Sequence, residues 1–176
     1  MSRNAFRPGR WLGVPGAWCA AFCVVACAGS NLEGRVFSND ELSFRLGPTP
    51  PAWRLIDEDG ELVTFRDDET PASIAVNGRC GKDGDDVPLE ALTHHLFIQF
   101  TDRQIENQVR VQLDGRAALH TELTAKLDGV EKRFDVFVLK KNGCVYDLVY
   151  VTPPSAPSGG QKQFLAFVEG FATIRP

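Results

Sequence analysis

Residues 105–152 read IENQVRVQLDGRAALHTELTAKLDGVEKRFDVFVLKKNGCVYDLVYVT. Ile105 to Leu113 alternates and closes on Asp114-Gly115. Ala117, Leu119, Thr121 and Leu123 line the next run, which closes on Asp128-Gly129. Phe134, Val136 and Val138 line a third, closed by Asn142-Gly143, and Cys144 to Thr152 forms a fourth. Apolar residues at period two fit half-buried strands. Asp-Gly and Asn-Gly favour two-residue hairpin turns, because both central residues need positive φ. Three such turns in one stretch predict an antiparallel meander.

Downstream, Pro153-Pro154 ends the meander. Ser158 and Gln161 have capping-box spacing, and Phe164, Phe167, Val168 and Phe171 follow at i, i+3, i+4 and i+7, predicting an amphipathic C-terminal helix. Upstream, Asp85-Asp86-Val87-Pro88 reads as a helix start, with acids and Pro where the helix dipole and the missing N–H favour them. Leu89, Leu92, Leu96 and Phe100 share one face of that helix.

Before it lie short strands: Leu42-Phe44-Leu46, then Trp53-Leu55-Ile56 after the break Gly47-Pro48-Thr49-Pro50-Pro51, then Leu62 to Phe65 beyond the turn Asp57-Glu58-Asp59-Gly60. Ser73 to Val76 is a further strand, leading into a Gly-rich loop with Cys80. Strands, a helix, a meander and a closing helix predict one α+β domain over residues 36–176, a mostly antiparallel sheet with packed helices.

The N-terminus reads as an address. Arg3, Arg7 and Arg10 precede an apolar run from Trp11 to Ala26, with no acid before Glu33. Charge followed by a short apolar run is the layout of a secretory signal. The run has 16 residues and contains Pro15 and Gly16, short of the roughly 20 that span a bilayer. Val24-Val25-Ala26-Cys27 resembles a lipoprotein lipobox. That resemblance implies cleavage between Ala26 and Cys27, removal of residues 1–26, and a lipidated Cys27 with several acyl chains, which anchor stably where one does not. Ala28 in place of Asp after the cysteine points to the periplasmic face of the outer membrane. Residues 27–35 then read as the lipidated cysteine and a polar tether, its stretch from Ala28 to Gly34 reaching roughly 25 Å at full extension.

Cleavage leaves 150 of the 176 residues, enough for one domain with a sizeable core. It removes three arginines and no acid, so the 19 basic residues become 16 against 23 acids, and the net charge goes from −4 to −7 with His neutral. An acidic tethered domain is a poor partner for nucleic acid or anionic lipid; its membrane contact comes from the anchor. Beyond Cys27 only Cys80 and Cys144 remain. In an oxidising compartment an isolated pair reads as a disulfide, with two separate buried thiols as the alternative.

Several short stretches, taken in order, resemble the PsbP-like fold: Leu42-Ser43-Phe44 before a Pro-rich break and Trp53, Gly115-Arg116-Ala117 opening a strand, Asn142 to Leu148 as the last long strand, and Phe164 to Phe171 as the closing helix. That superfamily includes the PsbP subunit of photosystem II, a Ran-binding nuclear import factor and DcrB-type bacterial lipoproteins. The resemblance covers most of residues 36–174. It implies the fold and a non-catalytic role in assembly or binding, and it transfers no functional residue or metal ligand.

Candidate chemistry is sparse. His94 and His95 are adjacent on a helix, about 100° apart, and His120 lies in a strand; none has a partner at zinc-site spacing. Asp57-Glu58-Asp59, Asp67-Asp68-Glu69 and Asp83-Gly84-Asp85-Asp86 are acidic loops without EF-hand order and read as turns. Asp135 and Asp147 can pair across neighbouring strands. No serine has nucleophile-elbow flanks and no glycine-rich loop cradles phosphate. Trp53, Tyr146 and Tyr150, with Pro51, are candidates for an apolar ligand groove. Trp53 is more often a core residue than a ligand platform, and the face that Tyr146 and Tyr150 share with Cys144 and Leu148 is either covered by helices or open.

These readings favour a lipid-anchored, non-enzymatic envelope module that needs no cofactor or metal and docks on an envelope protein partner. The alternatives are a carrier of a small apolar ligand between sheet and helix, and a hydrolase using His94, His95 or His120.

Overall fold

The computed structural model describes residues 31–59, 62–81 and 87–174. The lipobox, Ala26, Cys27 and the acidic stretch 83–86 lie outside the described residues, and of Asp57, Glu58 and Asp59 only the backbone is described.

Six strands come first: β1 Asn31–Glu33, β2 Val36–Ser38, β3 Ser43–Arg45, β4 Trp53–Asp59, β5 Leu62–Asp67 and β6 Ser73–Cys80. Helix α1 (Leu89–Leu96) leads into the meander β7 Thr101–Leu113, β8 Arg116–Leu127, β9 Val130–Lys141 and β10 Cys144–Thr152. Helix α2 (Gly159–Glu169) and β11 (Ala172–Ile174) close the chain. All strand pairs are antiparallel. One sheet has the order β1-β2-β3-β11 and the other β4-β5-β6-β10-β9-β8-β7.

The three meander turns behave as their residue types demand. Asp114-Gly115, Asp128-Gly129 and Asn142-Gly143 all have positive φ at both positions, between 49° and 80°, the conformation of type I′ hairpins. They fix the register, so alternate residues of each strand go to opposite faces.

The face under α2 carries Phe137 and Leu139 of β9 and Tyr146, Leu148 and Tyr150 of β10. These pack with Phe164, Phe167 and Phe171 of the α2 region and with Phe37 and Phe44 of the small sheet. The face under α1 carries Leu119 and Leu123 of β8, Phe134, Val136 and Val138 of β9, and Val145 of β10, packed with Leu89, Leu92 and Phe97. One close approach needs glycine: a Cβ on Gly47 would fall 1.9 Å from the Phe167 carbonyl oxygen, so the break after β3 seats directly against α2.

Four expectations change. Asn31–Glu33, read as tether, pairs with β2 around Gly34 (φ 63°), and Leu32 packs on the core. Cys80 ends a strand rather than sitting in a loop. Helix α1 stops at Leu96, and successive i+3 turns carry Phe100 back onto Phe97 and Phe134, 5.3 and 5.2 Å away. Ser158 starts α2 without a side-chain hydrogen bond, because its backbone is already helical (φ −70°, ψ −5°) rather than extended as a capping residue requires.

Candidate functional site

Cys80 and Cys144 lie directly opposite across β6 and β10 and are joined by a disulfide. The bond staples the crossover, tying the first half of the large sheet to the meander.

Trp53, Tyr146 and Tyr150 do not line an open groove. They are only 5, 2 and 3 % exposed. Trp53 packs on Phe167 (5.5 Å), Tyr146 between Phe44 and Phe171, and Tyr150 stacks on Phe164 (5.5 Å). Their shared face is the one α2 covers. Burial raises the hydroxyl pKa of both tyrosines.

Asp135 and Asp147 stand on opposite faces of the sheet and form no pair. Asp147, on the α1 side, accepts from Arg79 and Asn77 through Oδ2, and its buried Oδ1 has no partner among the described residues. Burial pushes its pKa up against the pull of Arg79. Asp67 is buried too and anchors a turn, accepting from Glu69 N, Thr70 N and Thr70 Oγ1.

Polar side chains converge on the α2 side. Asn107, Glu122, Asp135 and Tyr150 face one another in register across β7, β8, β9 and β10. His120 Nε2 is 2.6 Å from Asp135 Oδ1, and its ring stacks on Phe137 at 4.1 Å with planes 7° apart. Gln161 Nε2, from the first turn of α2, donates to Glu122 Oε1 (2.7 Å) and Asp135 Oδ2 (2.9 Å). Asn107 Nδ2 donates to Glu122 Oε2 (3.2 Å). The helix sits close because residue 160 is glycine: a Cβ there would lie 2.2 Å from the Tyr150 hydroxyl oxygen. His120, Glu122 and Asp135 present ligand atoms within 4.8 Å of one another. The sequence singled out His120 and Asp135 separately and missed Glu122 and Gln161. The available signal was His120 and Glu122 at i, i+2 in a strand, which places both on one face.

His94 and His95 are exposed on α1, apart from His120. His94 meets Arg103 and helps line a groove of about 320 Å³ between α1 and β7, with Thr93, Phe97, Ile105 and Leu123. Strand β7 is the sheet edge and is exposed over most of its length, with Ile105 at 61 % and Val109 at 42 %. Register shifts interrupt it between Thr101 and Gln104 and between Ile105 and Asn107. Among the described residues no helix is long and apolar enough to cross a membrane.

These features define an α+β domain with one filled sheet face and one open flank. Its fold is PsbP-like. Over 93 % of this chain and 99 % of the other it is similar to cyanobacterial PsbP from Synechocystis (17 % identity, TM-score 0.56). It is similar to LpqN of Mycobacterium tuberculosis, a protein involved in cell envelope biogenesis, over 77 % of this chain and 87 % of that one (15 %, 0.54). A Pseudomonas aeruginosa protein of unknown function, PA94, matches over 80 % and 96 % (14 %, 0.56). No protein-family model and no curated protein matches the sequence.

Proposed function

We propose that this chain is a lipid-anchored, non-enzymatic module of the cell envelope that docks on another envelope protein through the flank formed by β7 and α1. The observation that carries this reading is the uncovered edge. An exposed edge strand is an invitation to pairing, which charges and bulges usually blunt. Here Arg103, Glu106 and Arg110 and the register shifts do so, yet Ile105 still stands out in an apolar-floored groove, and Val109 is exposed on the other face of the same strand, opposite His120. The similarity in fold to an envelope-biogenesis protein and the lipobox-like Val24 to Cys27 support the location.

A photo-crosslinking residue at position 105 tests it in the native envelope. A discrete protein adduct is expected from position 105 and not from Glu69, away from this flank. A pattern no different between the two positions would end the reading. Cys27→Ser is expected to abolish metabolic labelling with palmitate and release the protein from the membrane.

The groove also supports a carrier reading, since about 320 Å³ lies within the usual range for small-ligand sites. Native mass spectrometry of protein taken from envelopes separates the two: a retained apolar small molecule favours the carrier.

A further inference from the structure

We propose that His120, Glu122 and Asp135 form a binding site for a divalent transition-metal ion of borderline softness, with zinc the best fit. One imidazole nitrogen and two carboxylates come from two adjacent strands, and their ligand atoms lie within 4.8 Å of one another. Tetrahedral bonds of ~2.0–2.1 Å need ligand atoms about 3.3 Å apart, a closure that side-chain rotation supplies without moving the sheet.

Three further observations point to a cation here. Glu122 and Asp135 are directly opposed across β8 and β9, a placement that like charges disfavour, and Asp135 is 3 % exposed. The two carboxylates are bridged by a neutral amide nitrogen, Gln161 Nε2, which offsets only part of that charge. The imidazole is held in orientation by its stack on Phe137. Three protein ligands and one water complete a tetrahedral zinc shell. Calcium, which takes six to eight oxygens, is poorly served by two carboxylates and a nitrogen. The bound ion would tie β8 and β9 together beside the first turn of α2, with Gln161 and Asn107 as outer partners of the carboxylates.

The test uses the full chain, disulfide intact, purified in detergent, stripped with chelator and titrated with Zn²⁺ alone in a calorimeter. One ion per chain is expected, with Ca²⁺ failing to compete. His120→Ala and Asp135→Asn should each weaken binding by more than the roughly 10–100-fold that loss of an outer partner costs. Because either variant can disturb packing, the wild-type chain is also labelled with ¹⁵N-histidine. Zinc should then move the Nε2 resonance of His120 and leave those of His94 and His95 in place. Absence of zinc binding to the wild-type chain overturns the proposal, and so does a shift confined to His94 or His95. Binding that persists in both folded variants does the same.

Discussion

The two faces of the large sheet are built to opposite ends. Under α2, aromatic rings from both sheets and the helix fill the space: Phe37, Phe44, Phe164 and Phe167 have no exposed surface. Under α1 the side chains are mostly aliphatic, the helix is eight residues long, and it stops short of the sheet edge, leaving β7 open. One face makes the molecule stable and positions a polar cluster at its margin. The other gives up burial and keeps a surface. Substitutions on the filled face should therefore cost stability, and substitutions on the open flank should cost partners.

The largest effect is expected at Phe167, which packs on Trp53, Phe65 and Phe164. Phe167→Ala should destabilise by about 3–5 kcal/mol, read as a fall in the urea midpoint. A loss under about 1 kcal/mol would mean that the aromatic face collapses freely and is not the stable half. Next comes the disulfide. It closes a 64-residue separation, for which the chain-entropy model gives about 4 kcal/mol and measured bridges typically about 2–4. The Cys80→Ser, Cys144→Ser double variant should lower the urea midpoint by a matching amount, and reductant should have no further effect on it.

Asp114 comes third. It accepts from Lys141 Nζ, Thr173 N and Thr173 Oγ1, each at 2.8 Å, so it ties the first hairpin turn to β9 and β11. Burial raises its pKa, but these donors outweigh burial and hold it below the ordinary 3.8. The folded value is thus below the unfolded one. The stabilisation is complete above about pH 4 and fades as pH falls through the folded value. Asp114→Asn keeps a residue that tolerates the turn's positive φ and loses the ion pair, which should cost about 2 kcal/mol at neutral pH. The gap between variant and wild type should close in acid; a gap independent of pH would refute the charge-based account.

What the sequence made legible was local. Turn chemistry at residues 114, 128 and 142 set the meander, and a period-two pattern set its faces. Strand β11 was not legible because three residues carry no periodicity and their partner, β3, lies over 120 positions earlier. Tyr146 and Tyr150 were placed on the right shared face, but parity cannot say what covers a face, so the groove proved to be core. The His120, Glu122 and Asp135 cluster stayed hidden for a related reason. A helix shows its metal-ligand spacing within one segment, whereas a sheet assembles ligands across strands, and only register reveals that Glu122 meets Asp135. Gln161 looked like a capping partner of Ser158 because the spacing fits, but Ser158 is helical rather than extended, and the Gln161 amide instead donates to the two carboxylates beneath α2.

The smallest stability effect is expected on the open flank, and it carries the comparison. Ile105→Ser and Val109→Ser replace exposed side chains on the two faces of an edge strand, Ile105 on the α1 side and Val109 on the α2 side. Each should change unfolding free energy by no more than about 0.5 kcal/mol. If the flank is a docking surface, the pair should still abolish recovery of the protein crosslinked from position 105 in wild type, with a crosslinker now placed at Gln112 on the same strand. Large destabilisation would mean that the flank belongs to the core, and unchanged recovery would mean that partners bind elsewhere. A stable variant that has lost its partner is the outcome in which the filled core and the open edge strand divide the work, because an apolar side chain left in water contributes little to folding and regains its value only when another surface covers it.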